Sequence, residues 1–136
     1  MHTTVKSEGP QRAYELVFET GEEIIGGLRA FAIAERLAPS EFNAIGGVHQ
    51  ADLGFYNLTD GTFNPVPFHR DQCEVLSLIG DITPEADKPG GYNVHGHVVL
   101  GSPDGQANGG HLLHAITRPI LFVTIEELEH AKPAHH

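Results

Sequence analysis

Cysteine is almost missing from this chain. The 136 residues contain one, Cys73, which excludes an intrachain disulfide framework and fits a reducing compartment. Basic side chains are scarce too: 8 Lys and Arg stand against 18 Asp and Glu, and a formal charge of −10 repels phosphate polyanions. The cations are scattered singly from Lys6 to Lys132, so no basic run offers a local exception. Long apolar runs are lacking as well. The longest, Pro119 to Ile125, is strand-sized and falls far short of the ~20 residues of a membrane-spanning helix. Met1-His2-Thr3-Thr4 leads into no basic segment followed by an apolar one, so no secretory signal is expected and a cytoplasmic location is.

What is present is a globular composition, 40% apolar and 19% charged, of a length that suits one domain. Residues 1–12 are polar, contain the Gly9-Pro10 breaker, and read as a flexible N-terminal arm. Residues 13–128 read as the folded domain and 129–136 as a C-terminal tail. Histidine is abundant, with 10 copies, but His2, His135 and His136 lie in the terminal segments and carry no weight.

Tyr14 to Phe18 has the form of a short strand. Thr20-Gly21-Glu22-Glu23 matches the S/T-x-x-E capping box, in which a hydroxyl and a carboxylate each satisfy an orphan amide. Ile24, Ile25, Leu28, Phe31 and Ala32 then form one apolar stripe at helical spacing, closed by Pro39. The Gly26-Gly27 pair costs this helix ~1 kcal/mol per glycine relative to alanine, which close approach to a neighbouring backbone would explain. Downstream the period changes from 3.6 to 2. Strands are expected at 42–45, 48–57, 62–68, 74–82, 92–101, 106–116 and 119–127, with Pro65 and Pro67 confining the third of these to a sheet edge. One main amphipathic helix near the N-terminus against a mostly antiparallel sheet makes an α+β domain.

The chemistry is concentrated between Tyr92 and Leu112. His95 and His97 stand two apart on a strand, so they project from one face roughly 7 Å apart along the chain. Ser102-Pro103-Asp104-Gly105-Gln106 suits a type I turn closed by a left-handed glycine bulge, a hairpin in which Ser102 pairs with Gln106. That register sets His97 directly opposite His111 and puts all three imidazoles on one face. A two-residue loop would shift the register by one and turn His111 away. His-x-His alone is ordinarily a pair of half-exposed surface side chains; the third histidine makes the set resemble an open zinc site that keeps a position for water. Imidazole also suits nickel, copper, cobalt and iron, so the residues select a divalent metal without naming it. Glu126 or Glu127, after the last strand, could add a carboxylate, but nothing in the spacing requires it.

Other candidates are weaker. His114 is expected on the opposite face, and His49 and His69 lack partners at ligand spacing. Cys73 reads as a core residue and Arg29 as a solvated helix residue in reach of a substrate anion. None of the glycine pairs forms a phosphate-cradling motif.

Together, Ala44-Ile45-Gly46-Gly47-Val48, Leu53-Gly54-Phe55-Tyr56, Glu74 to Ile82, His95-Gly96-His97-Val98-Val99-Leu100-Gly101 and Gly109-Gly110-His111-Leu112 resemble the plant-and-prokaryote-conserved domain over about residues 13–128. The resemblance implies an α+β fold assembling as a homotrimer and a bound metal, commonly zinc, held by His95, His97 and His111. It also implies a kinship with nuclear DNA-binding proteins of plants. This chain lacks their Arg-Gly-Arg-Pro hook, and its charge argues against direct contact with DNA. The fold is similar to that of acetolactate decarboxylase, a zinc enzyme with His-x-His and a later His. Three functions therefore follow as expectations: a metal-binding regulatory module for a small molecule or protein partner, a metal-dependent lyase or hydrolase, and a DNA-binding protein.

Overall fold

Two long strands that the sequence presents in pieces organise the sheet. The computed structural model describes residues 1–128, so the expected tail at 129–136 lies outside the described residues. Its elements are β1 (His2–Ser7), β2 (Ala13–Glu19), α1 (Ile24–Glu35), β3 (Ser40–Asn57), β4 (Thr62–Phe68), β5 (Cys73–Pro84), β6 (Tyr92–Gly101) and β7 (Ala107–Glu127). The strand order is β1-β2-β7-β6-β5-β3-β4, with every pairing antiparallel. β3 pairs with β5 along one edge and with β7 along the other, so β3, β5, β6 and β7 close into a ring. The architecture is the expected α+β one, and β4 with its two prolines lies at an edge.

β3 passes through Gly46-Gly47 without breaking. Gly46 takes φ +150°, and a Cβ on either glycine would run into the β7 backbone at Ile120 and Arg118, so only glycine permits the bulge that lets the two strands touch. α1 packs on β6 and β7 and buries the expected stripe of Ile24, Ile25, Leu28, Phe31 and Ala32. These join Leu16, Phe18, Leu78, Leu100, Leu121 and Ile125 in one core, where each such side chain is worth about 1.5–3 kcal/mol of burial. Gly27 is explained by close approach, though to a side chain: the Phe18 ring occupies the space its Cβ would need.

The helix start differs from the capping-box reading. Glu23 is the N-cap, its carboxylate accepting from Ile25 N at 3.0 Å and Gly26 N at 2.7 Å, and from Ala115 N of β7 at 3.1 Å. Thr20 instead donates its hydroxyl to the Pro119 carbonyl at 2.8 Å. Residues 2–7 are also a correction, since they form an edge strand on β2 where a flexible arm was expected. All six are exposed, so β1 rests on backbone pairing and carries no apolar alternation to read.

Glu127 is tied into the fold at the end of β7. Its Oε1 accepts from Arg12 N at 2.8 Å and Arg12 Nε at 2.9 Å, and its Oε2 from Arg12 Nη2 at 3.0 Å and Ala38 N at 2.8 Å. The guanidinium hydrogen bonds hold the Glu127 carboxyl down at about 2 despite its burial, and the Arg12 pKa is raised in return.

Candidate metal centre

The β6–β7 turn fixes the register on which the histidine cluster depends. Ser102 N donates to Gln106 O and Gly105 N to Ser102 O, each at 2.9 Å, and Gly105 adopts φ +86° as the left-handed bulge residue. From Gly101↔Ala107 the ladder runs without a slip to His97↔His111, the register the turn chemistry predicts. On its other edge β6 pairs Asp81↔His95, Gly80↔Gly96 and Ile79↔His97. Gly80 is needed there, since a Cβ on it would strike the His95 carbonyl, and at Gly96 the fit is close, with a Cβ sitting 3.0 Å from the Leu78 side chain and 3.3 Å from the buried Phe42 ring. Phe42 thus packs against the backbone that carries His95 and His97.

The three imidazoles converge. Ring centroids are 5.0 Å apart for His95 and His97, 4.4 Å for His97 and His111, and 5.1 Å for His95 and His111. His95 Nε2 lies 3.2 Å from His111 Nδ1, and each ring offers a nitrogen within 4.8 Å of the other two. Phe63 of β4 braces His111 edge-on at 4.6 Å between centroids. Among the described residues this is the one group of three or more His, Cys, Asp or Glu side chains gathered so closely.

A cavity of about 690 Å³ opens beside the cluster, lined by the three histidines with Glu41, Asp81 and Glu126. The carboxylates follow from register. Asp81 pairs with His95 on one side and Glu41 on the other, and Glu41 pairs with Glu126, so one row crosses four neighbouring strands. No Lys or Arg lines this cavity among the described residues. A second cavity, of about 420 Å³, lies against His97 and His111 and is mainly apolar, with Phe55, Val98 and Val99 in its wall.

The remaining candidates separate cleanly. Glu126 reaches the cavity, whereas Glu127 is committed to Arg12 and Ala38 and is no ligand. Arg29 donates to the Tyr92 carbonyl at 3.2 Å and does not line the cavity. His69 bonds Asp52 at 3.0 Å, His114 lies 3.9 Å from the same carboxylate, and His49 sits opposite Ile116; none joins the cluster. Cys73 is buried, with its thiol on the Val48 carbonyl at 3.4 Å and its pKa pushed up by burial, which leaves little thiolate. Sequence reasoning missed Asp81, Glu41 and Phe63, all brought to the site by strands distant in sequence.

Comparison with known proteins places the chain in context. The family model described as the Plants and Prokaryotes Conserved (PCC) domain matches residues 5–129. No curated protein sequence matches significantly. Among solved structures, a plant- and prokaryote-conserved protein from Pyrococcus horikoshii superposes with TM-score 0.81 at 24% identity, over 96% of this chain and 85% of that one. A protein from Archaeoglobus fulgidus described as metal-containing gives 0.79 at 23% identity, over 97% and 86%. One from Bacteroides thetaiotaomicron, described as a candidate DNA-binding protein, gives 0.78 at 24%, over 95% and 86%. At these identities the likeness concerns the fold.

Proposed function

We propose that this chain, which belongs to the Plants and Prokaryotes Conserved domain family, binds one divalent transition metal, zinc in its resident form, through His95, His97 and His111. The observation that carries this reading is the convergence of three imidazole nitrogens within 4.8 Å of one another on a register fixed by one turn. The donors fit the ion: tetrahedral ligands at the usual zinc–nitrogen length stand about 3.4 Å apart, and the His95 and His111 nitrogens are at 3.2 Å. Three neutral imidazoles leave a fourth position, at which a bound ion supplies Lewis acidity or an acidified water.

The module is a homotrimer that recognises a small molecule or a protein partner at the metal-bearing face. Ile45 and Phe122 pair directly on the outer face of the sheet at 61% and 47% exposure, and Ile79 adds 58% on the same face, which supports a covered interface between copies. The metal part of the proposal is in keeping with a fold neighbour described as metal-containing.

A metal-dependent enzyme is the second reading, favoured by the 690 Å³ cavity that sets three carboxylates beside the histidines. It loses the arginine that an anionic substrate would want, because Arg29 is bonded to Tyr92 away from the cavity. Direct DNA binding has the family relationship and the description of fold neighbours behind it, and a charge of −10 works against it.

The test is metal content by mass spectrometry on tag-free protein, with His97→Ala and the oligomer mass from light scattering on the same samples. Near one metal per chain, lost in the variant while a trimer persists, is the expected result. Metal-free wild-type protein would refute the metal reading, and a monomer mass the assembly.

A further inference from the structure

Asp81 stands apart from the other carboxylates of the large cavity. Glu41 and Glu126 are exposed, as charged side chains on the outer face of a sheet ordinarily are, but Asp81 keeps only 7% exposure. Burying a carboxylate is costly unless it meets a hydrogen-bond donor or a positive charge, and no Lys or Arg lines this cavity among the described residues. Asp81 lies directly opposite His95 across the β5–β6 ladder, where facing Cβ atoms are about 4.5–5.5 Å apart. It nevertheless stays outside the compact ligand group, which is confined to the three imidazoles. His95 turns Nε2 toward His111, which leaves Nδ1 as the ring nitrogen outside that contact.

Resting on the reading of these histidines as metal ligands, we propose that Asp81 is the positioning residue for His95. Its carboxylate accepts a hydrogen bond from Nδ1–H and so keeps the Nε2 lone pair directed at the ion. A carboxylate behind a ligating histidine fixes the tautomer and ring orientation and raises ligand basicity, and its loss weakens metal binding by about 10- to 100-fold. Glu126 supplies an internal control: it belongs to the same row and the same cavity, but along that row Asp81 and Glu41 stand between it and His95. A general electrostatic pull on a dication would be shared by both carboxylates, whereas an orienting contact belongs to Asp81 alone.

The experiment measures zinc affinity by competition with a chromophoric chelator for the wild type, Asp81→Ala, Asp81→Asn and Glu126→Gln, with thermal unfolding of each. Histidine ¹⁵N spectra of the zinc-free proteins report the His95 tautomer. Asp81→Ala is expected to weaken zinc binding about 10- to 100-fold, Asp81→Asn less because its amide oxygen still accepts, and Glu126→Gln by less than about three-fold at physiological salt. The zinc-free wild type should hold His95 as the Nδ1–H tautomer, and Asp81→Ala should mix the two. Equal losses for the Asp81 and Glu126 variants, or an Asp81→Ala protein that binds like wild type, would overturn the assignment. If Asp81→Ala does not fold, Asp81→Leu, which keeps the buried volume but has no accepting oxygen, decides by the same comparison. Failure of wild-type protein to take up zinc would sink the metal reading alone, since the tautomer spectra still test the Asp81 contact without metal.

Discussion

The two ends of β7 treat ionisable side chains in opposite ways. At the C-terminal end, Glu127 takes four N–H donors from Arg12 and Ala38 and ties together the entry to β2, the chain after α1 and the end of β7. At the N-terminal end, His111 faces His97 and His95, and three ring nitrogens converge on one point. A carboxylate surrounded by backbone and guanidinium donors is already matched within the protein, and its work is structural. Nitrogens gathered on one point beside a cavity suit a cation, and the proposed one would supply the match. Burial alone would have pointed the other way, because Glu127 is the more buried of the two groups.

That contrast breaks first at Glu127. Glu127→Ala strands Arg12 and two backbone amides, and should cost about 3–5 kcal/mol in urea unfolding while leaving metal content unchanged. Acid should find the same group. With its folded pKa depressed to about 2, Glu127 contributes stability that is present above the unfolded value near 4.3 and lost as pH falls toward 2. The contribution is on the order of 3 kcal/mol, and Glu127→Gln should flatten that part of the pH–stability curve. Next comes Gly80→Ala, whose Cβ would strike the His95 carbonyl; it should cost about 1–3 kcal/mol and, unlike the Glu127 change, also weaken metal binding. Gly105→Ala forces alanine into φ +86° and should cost about 1 kcal/mol, with the register and the histidine cluster retained. Smallest in stability is His97→Ala: an exposed side chain is lost, unfolding of the metal-free protein should differ from metal-free wild type by less than about 0.5 kcal/mol, and metal uptake should be gone.

The register of the histidine hairpin was legible because one short turn determines it. Pro103-Asp104-Gly105 admits the bulge, and parity does the rest for His95, His97 and His111. The apolar stripe of α1 was legible for the same reason of strict local period. The length of β3 and β7 was not, because Gly46-Gly47 and the stretch at Arg118-Pro119 look like chain breaks locally and become bulges only when the two strands lie against each other. The cap of α1 moved from Thr20 to Glu23 because the Pro119 carbonyl and the Ala115 amide, both on β7, compete for those side chains. The roles of Glu127 and Asp81 depend wholly on partners 115 residues away, in the case of Arg12, or across a neighbouring strand, in the case of His95. No spacing rule carries such information.

The most direct test of the central claim is X-ray absorption at the zinc edge on protein loaded with one equivalent of zinc. The account predicts a shell of four light atoms near 2.0 Å, with the scattering signature of three imidazoles. A sulfur-containing shell, or an imidazole signature that survives intact in His97→Ala, would contradict it.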